Sequence, residues 1–177
     1  MGKSCLNKLS GNITVGCEIP LVGVKNIYLM HAEDVTLTAD ESASTVITAT
    51  FTTAGTAILV EGYKQNIQIT SATRTMDASS KLDMSVIFKM PLNSVNAESR
   101  AKSLLAGKFY VAVERNDGAN SIVGYTSPLE CSALDWDSNA NAGLATITLS
   151  TPEGSAGNYF MRASVGAMSS IKSKAGV

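Results

Sequence analysis

One segment, residues 94–127, constrains the fold of this chain more than any other part of its 177 residues. Its first half, from Ser94 to Ala106, has the length and composition of a short helix. Gly107 follows, and we expect it to stop the helix in the left-handed conformation that glycine adopts readily. Almost everything else in the chain looks like strand. We therefore predict a mainly β, α+β domain with this one helix, at about 94–106, packed on it.

The second half of the segment predicts a β-hairpin. Two apolar runs, 109–115 and 121–125, lie on either side of the turn Asn116-Asp117-Gly118. Asp-Gly between two such runs is a strong hairpin signal, because glycine supplies the positive φ that the turn needs.

Further short runs that alternate or are rich in β-branched residues recur along the chain. Residues 82–90 are typical, because their even-numbered apolar side chains share one face and Pro91 then ends the strand. The other predicted strands are 24–30, 34–38, 45–51, 57–63, 66–70, 144–149 and 159–163. With the hairpin, about nine or ten strands at this spacing indicate an antiparallel β-sandwich or barrel.

The pattern predicts one domain with two less regular ends. Glycines and Pro20 interrupt residues 1–23, which we interpret as an N-terminal arm that becomes ordered on assembly. Residues 24–165 form the single β-rich domain, within which a loop carries Pro128 and Trp136. Residues 166–177, rich in Ser and Lys, are expected to be a loose C-terminal tail.

Composition narrows the class of protein. The chain is 45% hydrophobic but only 16% charged, with a net charge of −1. Monomers usually carry a more heavily charged surface, so sparse charge favours a protein whose surface is covered by neighbours. A nucleic-acid binder would show a basic stripe, which this sequence lacks. We also expect no secretory signal and no membrane span, and hence folding in the cytoplasm.

The three cysteines, Cys5, Cys17 and Cys131, are odd in number and widely spaced, which disfavours a disulfide framework, so we expect reduced structural thiols. Their spacing also fails to provide a zinc site with His31, the single histidine. We interpret His31 as a strand-end residue, although Glu33 and Asp34 lie close to it in sequence. The pairs Glu33/Asp34 and Asp40/Glu41 would point to opposite faces of a strand rather than converge. We therefore predict no catalytic, cofactor or metal residues, and no enzyme.

Residues 135–141, Asp-Trp-Asp-Ser-Asn-Ala-Asn, resemble the start of a calcium loop. Ala140 replaces the glycine at the sixth position, and Thr146 cannot supply the bidentate carboxylate at the twelfth. An Asx-rich turn is the favoured interpretation. Trp136, within this segment, is expected to fill the core or an interface, with a sugar-stacking platform as the alternative.

The order of a glycine-broken arm, the strand 23–29, a run of strands, the helix near 94–106 and the hairpin at Asn116-Asp117-Gly118 resembles that of the small tail-tube proteins of tailed bacteriophages. The likeness is greatest to proteins from phages of Bacteroidetes hosts. It covers roughly residues 20–165 and is architectural, without a signature motif. Type VI secretion tube proteins, tail terminators and connector-ring proteins share this architecture.

The resemblance implies a structural subunit of the virion tail, assembled in the host cytoplasm. Six copies would form a ring, and stacked rings would form a conduit for DNA, which passes without specific binding. The implied partners are copies of the chain itself and other tail or virion proteins. Two alternatives stay open: another virion component, such as a connector, tail terminator or head decoration, and a carbohydrate-binding β-domain that uses Trp136, Tyr125 and Tyr159.

Overall fold

The computed structural model describes residues 23–62, 66–74, 81–139 and 143–177. Most of the predicted arm, residues 1–22, therefore lies outside the described residues. The described residues form eleven strands and two helices. In chain order these are β1 (Val24–His31), β2 (Val35–Asp40), β3 (Thr45–Phe51), β4 (Ala57–Glu61), β5 (Gln68–Thr73), β6 (Leu82–Pro91), α1 (Val95–Ala106), β7 (Lys108–Arg115), β8 (Asn120–Val123), β9 (Leu129–Asp135), β10 (Leu144–Ser150), β11 (Met161–Ala163) and α2 (Val165–Ala175).

All eleven strands belong to one hydrogen-bonded sheet that divides at β7. One edge of β7 pairs with β1, whose other edge pairs with β4. The opposite edge of β7 is shared, because β8 pairs with residues 111–114 and β9 with residues 108–109. From β8 the sheet continues through β11 and β3 to β2, and from β9 through β10 and β6 to β5. The pairing of β11 with β3 is parallel and the others are antiparallel, so the sheet is mixed.

The two branches of the sheet enclose a first core. Leu29 of β1 and Val111 of β7 pack in one cluster with Phe88 of β6 and Ile147 of β10. These strands are not all neighbours in the sheet, so the cluster holds them face to face, as the layers of a sandwich are held. The predicted β-rich α+β fold is confirmed.

A second core lies on the opposite face of β1 and β7. Tyr28, Met30 and Ala112 alternate with the residues of the first core and pack with β2, β3 and α2. Because successive side chains of a strand point to opposite faces, both faces of β1 and β7 are buried. These two strands therefore form the central layer of the domain.

The predicted helix and hairpin are both present. The Ser94 side chain accepts a hydrogen bond from the Ala97 amide at 3.2 Å, and α1 then runs to Ala106. In the hairpin, Gly118 has the positive φ of 79° that the Asp-Gly signal requires.

The prediction for Gly107 was wrong. Its φ of −95° and ψ of 162° are extended, so α1 does not end in a left-handed glycine. A Cβ atom at this position would lie 2.5 Å from Cζ of the buried Phe109 ring. Glycine therefore serves here to let the chain pass closely over Phe109 as it enters β7.

The C-terminal tail was also predicted wrongly, because residues 165–175 form the helix α2. Ser164 caps its first turn by accepting a hydrogen bond from the Ala167 amide at 3.1 Å. Ala167, Met168 and Ile171 are buried against the second core. Two of these three residues are followed by Ser or Lys, which hides the apolar stripe in the sequence.

The loop predicted around Pro128 and Trp136 contains a strand instead, β9, which pairs with β10. Several other boundaries differ from the predicted ones. The strand predicted at 66–70 is observed as Gln68–Thr73, and the one predicted at 159–163 begins only at Met161. Within the described part of the chain, neither helix is long and apolar enough to cross a membrane.

Asn158 stabilises the bend between β8 and β9, where the sheet divides. It is fully buried, and its Oδ1 accepts hydrogen bonds from the amides of Thr126 and Ser127 at 3.1 and 3.0 Å. Its Nδ2 donates to the Ser127 carbonyl and to Thr151 Oγ1, both at 3.0 Å. The side chain thus satisfies backbone groups that the divided sheet leaves without a strand partner.

We expect Ile171→Ala to lower the free energy of unfolding by about 2–5 kcal/mol, because it removes a fully buried side chain from the second core. Urea unfolding followed by circular dichroism measures the change. Ser170→Ala, at the exposed neighbouring position of α2, is the control and should change stability by less than about 0.5 kcal/mol. Equal, small effects of both substitutions would restore the interpretation of this segment as a loose tail.

Candidate assembly surfaces

The residues considered for chemistry do not converge. His31 ends β1 and packs on Phe109, with ring centroids 4.6 Å apart and planes tilted by 49°. Within the described ranges, no group of three or more His, Cys, Asp or Glu side chains is arranged to hold a metal ion. His31 thus takes the predicted place at the end of a strand.

The acidic pairs lie at turns rather than along strands. Glu33 and Asp34 follow β1, and the Asp34 carbonyl accepts a hydrogen bond from the Thr52 amide at 2.8 Å. Asp40 ends β2, where hydrogen bonds from the Ser42 side chain, the Ala43 amide and the Ser42 amide lower its pKa. Both sites are turn-forming arrangements.

The segment that resembles a calcium loop contains an Asx turn. Asp137 Oδ1 accepts a hydrogen bond from the Asn139 amide at 2.9 Å, which confirms the favoured interpretation. Trp136 is 54% exposed, and its indole N–H donates to the Gly143 carbonyl at 3.1 Å. Trp136 therefore does not fill the core. Residues 140–142 lie outside the described part of the chain.

The aromatic residues of the carbohydrate alternative occupy separate places. Tyr125 lines a surface cleft with Tyr110, and burial together with the proximity of Tyr125 raises the pKa of Tyr110. Tyr159 lies under the Lys81 ammonium, 5.5 Å from the ring centroid. Trp136 follows the end of β9. Among the described residues the aromatic pair in contact is His31 with Phe109, so these three rings form no shared platform.

Cys131 is the one cysteine within the described ranges, and its thiol is free and half buried. Burial raises the pKa of the thiol, so Cys131 is protonated at neutral pH and a poor nucleophile. Cys5 and Cys17 fall in the segment that the structure does not describe.

Glu114 is a residue that sequence reasoning missed. Its carboxylate, only 12% exposed, accepts hydrogen bonds from Lys172 at 2.8 Å and Lys25 at 3.3 Å. Asn26 Nδ2 and the Tyr28 hydroxyl donate to its other oxygen, each at 3.2 Å. These partners come from β1 and α2, whereas Glu114 belongs to β7. One carboxylate thus joins the central strands to the C-terminal helix.

Two opposing effects set the pKa of Glu114. Burial alone would raise the pKa, but hydrogen bonds from Lys172, Lys25 and Asn26, with the charge of Lys172, outweigh it and lower the pKa to about 2. Glu114 is therefore ionised at neutral pH, and its charge is compensated by two lysines. Its sequence neighbours on β7 gave no sign of this role, because both lysines are distant along the chain.

Three strands have an edge with which no other described strand pairs. Among the described residues, β2 pairs with β3, β4 with β1 and β5 with β6, each on one side alone. The β4 and β5 pairings are in continuous register, whereas β2 has an irregularity at Thr38/Ala39. The backbone N–H and C=O groups along these edges can pair with a further strand.

A cleft of about 770 Å³ opens between β5 and the opposite branch of the sheet, where β8 and β11 lie. Its apolar lining includes Ile67, Met84, Val113 and Val123, all of which belong to the first core. The cleft therefore borders that core, whose side chains here are nevertheless buried. Its rim carries Phe160, which is 66% exposed.

Comparison with protein families, with curated proteins and with solved structures found no match to this chain.

We expect Glu114→Gln to lower the free energy of unfolding at neutral pH by about 1–3 kcal/mol. The folded-state pKa of about 2 lies below the ordinary value of 4.5. The ionised carboxylate therefore stabilises the fold fully above pH 4.5, and this contribution is lost as the pH falls towards 2. Chemical unfolding between pH 2 and 7 should show a weaker pH dependence for the variant below pH 4.5.

Glu41→Gln is the matched control, because Glu41 is exposed in the turn after β2. It should leave stability at neutral pH nearly unchanged. If the two substitutions behaved alike, the Glu114 cluster would contribute nothing to stability.

Proposed function

We propose that this protein is a structural subunit of a phage tail tube, which self-assembles into stacked hexameric rings that form a conduit for DNA. In this proposal it acts in the virion tail, after assembly in the host cytoplasm, and performs no catalysis. The observation that carries the proposal is that β4 and β5 each pair on one side alone among the described residues. The ring number and the role in DNA delivery are taken from the protein family that the sequence resembles.

The β4 and β5 edges lack the features that prevent association in monomeric proteins. Natural β-proteins protect exposed edges with lysine, proline or bulges. The sequences of β4, AILVE, and β5, QITSAT, contain none of Lys, Arg and Pro, and both strands keep a continuous register. Edges of this kind favour pairing with another strand, which in a self-assembling protein comes from a second copy.

The positions of the β4 and β2 edges suit a ring. β4 and β2 lie at opposite ends of one run of strands, β4-β1-β7-β8-β11-β3-β2. Pairing β4 of one copy with β2 of the next would be a head-to-tail contact, and such contacts close into rings when the rotation per copy allows it. This contact would continue the sheet from copy to copy around the ring.

Exposed apolar side chains on β4 and α2 also support assembly. Ile58 on β4 is 40% exposed and Val165, at the start of α2, is 85% exposed. Burial of such side chains against neighbouring copies would stabilise a ring or a stack of rings. The net charge of −1 also suits a conduit, because a strongly basic lumen would bind phosphates and retard the DNA.

Negative-stain electron microscopy of the purified protein at increasing concentration tests the proposal. We expect hollow tubes built from stacked rings. Closed rings that do not stack would instead indicate a connector or tail terminator. Compact monomers at all concentrations would contradict self-assembly, and with it the proposal.

Ile58→Lys should reduce assembly at least tenfold, measured as the fraction of protein that sediments as rings or tubes. The substitution places a charge on the β4 edge strand, which disfavours pairing with another sheet. Ile47→Lys is the matched control, because Ile47 is similarly exposed but lies on β3, between β2 and β11. Circular dichroism establishes that both variants are folded. Equal assembly of the two variants would exclude β4 pairing as the lateral contact.

A further inference from the structure

We infer that the surface cleft lined by Tyr110, Tyr125, Thr36 and Thr126, here called the tyrosine cleft, binds a neutral saccharide. The proposed function assigns no role to this cleft, and the inference does not depend on assembly. Three observations carry it: hydroxyl groups without a partner among the described residues, tyrosine rings that the fold holds in place, and a lining without charged side chains.

The tyrosine cleft lies where β7 begins, β8 ends and β2 begins. Tyr110 is the third residue of β7, Tyr125 comes two residues after the end of β8, and Thr36 is the second residue of β2. The cleft has a volume of about 470 Å³, which lies in the range that proteins use to bind small ligands. Elements that are distant in sequence thus form one concave surface.

The side-chain hydroxyls of the cleft are available to a ligand. Among the described residues, no group forms a hydrogen bond with the hydroxyl of any of its two tyrosines and two threonines. Every buried side-chain nitrogen or oxygen in the described ranges has a partner, so the hydroxyls of Tyr110 and Tyr125 are open to solvent. Each hydroxyl both donates and accepts hydrogen bonds, as the hydroxyls of a sugar do. The cleft is therefore suited to a ligand with several hydroxyl groups.

The fold holds both tyrosine rings in place. Tyr110 and Tyr125 pack against the second core. Gly124, with a φ of 89°, turns the chain directly before Tyr125, and the next amide, that of Thr126, donates to the buried Asn158 side chain at 3.1 Å. Among the described residues neither ring stacks on another aromatic ring. Rings fixed in this way lose little freedom on binding, and the C–H face of a sugar ring packs on such aromatic surfaces.

The lining favours a ligand without charge. Apart from the hydroxyl-bearing residues, the described residues that line the cleft are Ala32, Val35 and Leu37, which are apolar. Burial, together with the proximity of Tyr125, raises the pKa of Tyr110, so this hydroxyl keeps its proton at neutral pH. A carboxylate or phosphate would lose its hydration here without gaining a cationic partner from the lining. A neutral saccharide has no such cost.

A proline-rich peptide is the other ligand that tyrosine-lined grooves bind. Proline has no backbone N–H, so a proline-rich segment offers mainly carbonyl acceptors to the four hydroxyls of the cleft. A saccharide supplies both donors and acceptors, which satisfies these hydroxyls more completely. The hydrogen-bonding capacity of the cleft therefore favours the saccharide.

Binding of the full chain to an array of immobilised neutral and sialylated glycans tests the inference, and titration calorimetry with the free saccharide then measures the affinity. The protein is used at a concentration at which it stays unassembled, so the result does not depend on the proposed contact through β2. We expect binding to neutral glycans. Absence of binding, or a preference for sialylated glycans, would overturn the inference. Binding of a decaproline peptide in place of the glycans would overturn it as well.

Tyr110→Phe and Tyr125→Phe locate the site, because each removes one hydroxyl and keeps the ring and its packing. Each should weaken binding about three- to tenfold, which corresponds to the loss of one hydrogen bond. Tyr159→Phe is the matched control and should leave the affinity unchanged, since Tyr159 is 41% exposed and lies under Lys81, outside the cleft. Unchanged affinity in both cleft variants would overturn the inference, because the saccharide would then bind elsewhere.

Tyr125→Ala tests the role of the ring and should weaken binding by about tenfold or more. Circular dichroism establishes that the variant is folded, and the two phenylalanine variants decide the site if it is not. Hollow tubes from a protein that binds no glycan would overturn the inference and leave the proposed function standing. Glycan binding through the tyrosine cleft by a protein that forms neither rings nor tubes would support the inference and contradict the proposed function.

Discussion

The rest of the structure depends on β7, a strand whose two faces and two edges are all occupied. Phe109, Val111 and Val113 point into the first core, and Ala112 points into the second. Because β8 and β9 share one edge of β7, the sheet must divide there, and its branches then enclose the first core. The division leaves backbone groups between β8 and β9 without strand partners, and the buried Asn158 amide satisfies them. A polar residue in the interior is thus a consequence of the topology.

Burial on both faces also accounts for the Glu114 cluster. At the end of β7 the second core meets the C-terminal helix, and Glu114 lies there with 12% of its side chain exposed. A carboxylate so far removed from water requires compensating charge and hydrogen bonds, which Lys172, Lys25 and their neighbours provide. The helix α2 is therefore held in place both by apolar packing through Ile171 and by an ion pair to the central strand.

Local sequence signals predicted those parts of the fold that local interactions determine. The helix near 94–106 and the Asp-Gly turn at 117–118 depend on nearby residues, and both were found as predicted. The strand β9 depends on pairing with β10, and the helix α2 on packing against a core built by distant strands, so neither could be read from its own residues. Gly107 shows the same limit, because the group that requires glycine there is the ring of Phe109. The Glu114 cluster joins residues up to 89 positions apart and has no local pattern.

The difference between local sequence signals and long-range contacts also applies to the surfaces available for assembly. Sparse charge in the sequence suggested a covered surface but not which part of it, since composition carries no positions. Within the described part of the chain, the topology leaves three strand edges without a partner, two at the ends of one run and one beside the cleft. Edges at separate places can bind different neighbours at the same time, which a single edge cannot do. Ordered assembly in more than one direction needs this separation, because one contact can close a ring while another joins ring to ring. A protein with the same composition and only one free edge would form dimers, so the proposed tube depends on the arrangement of the edges rather than on the number of apolar residues in them.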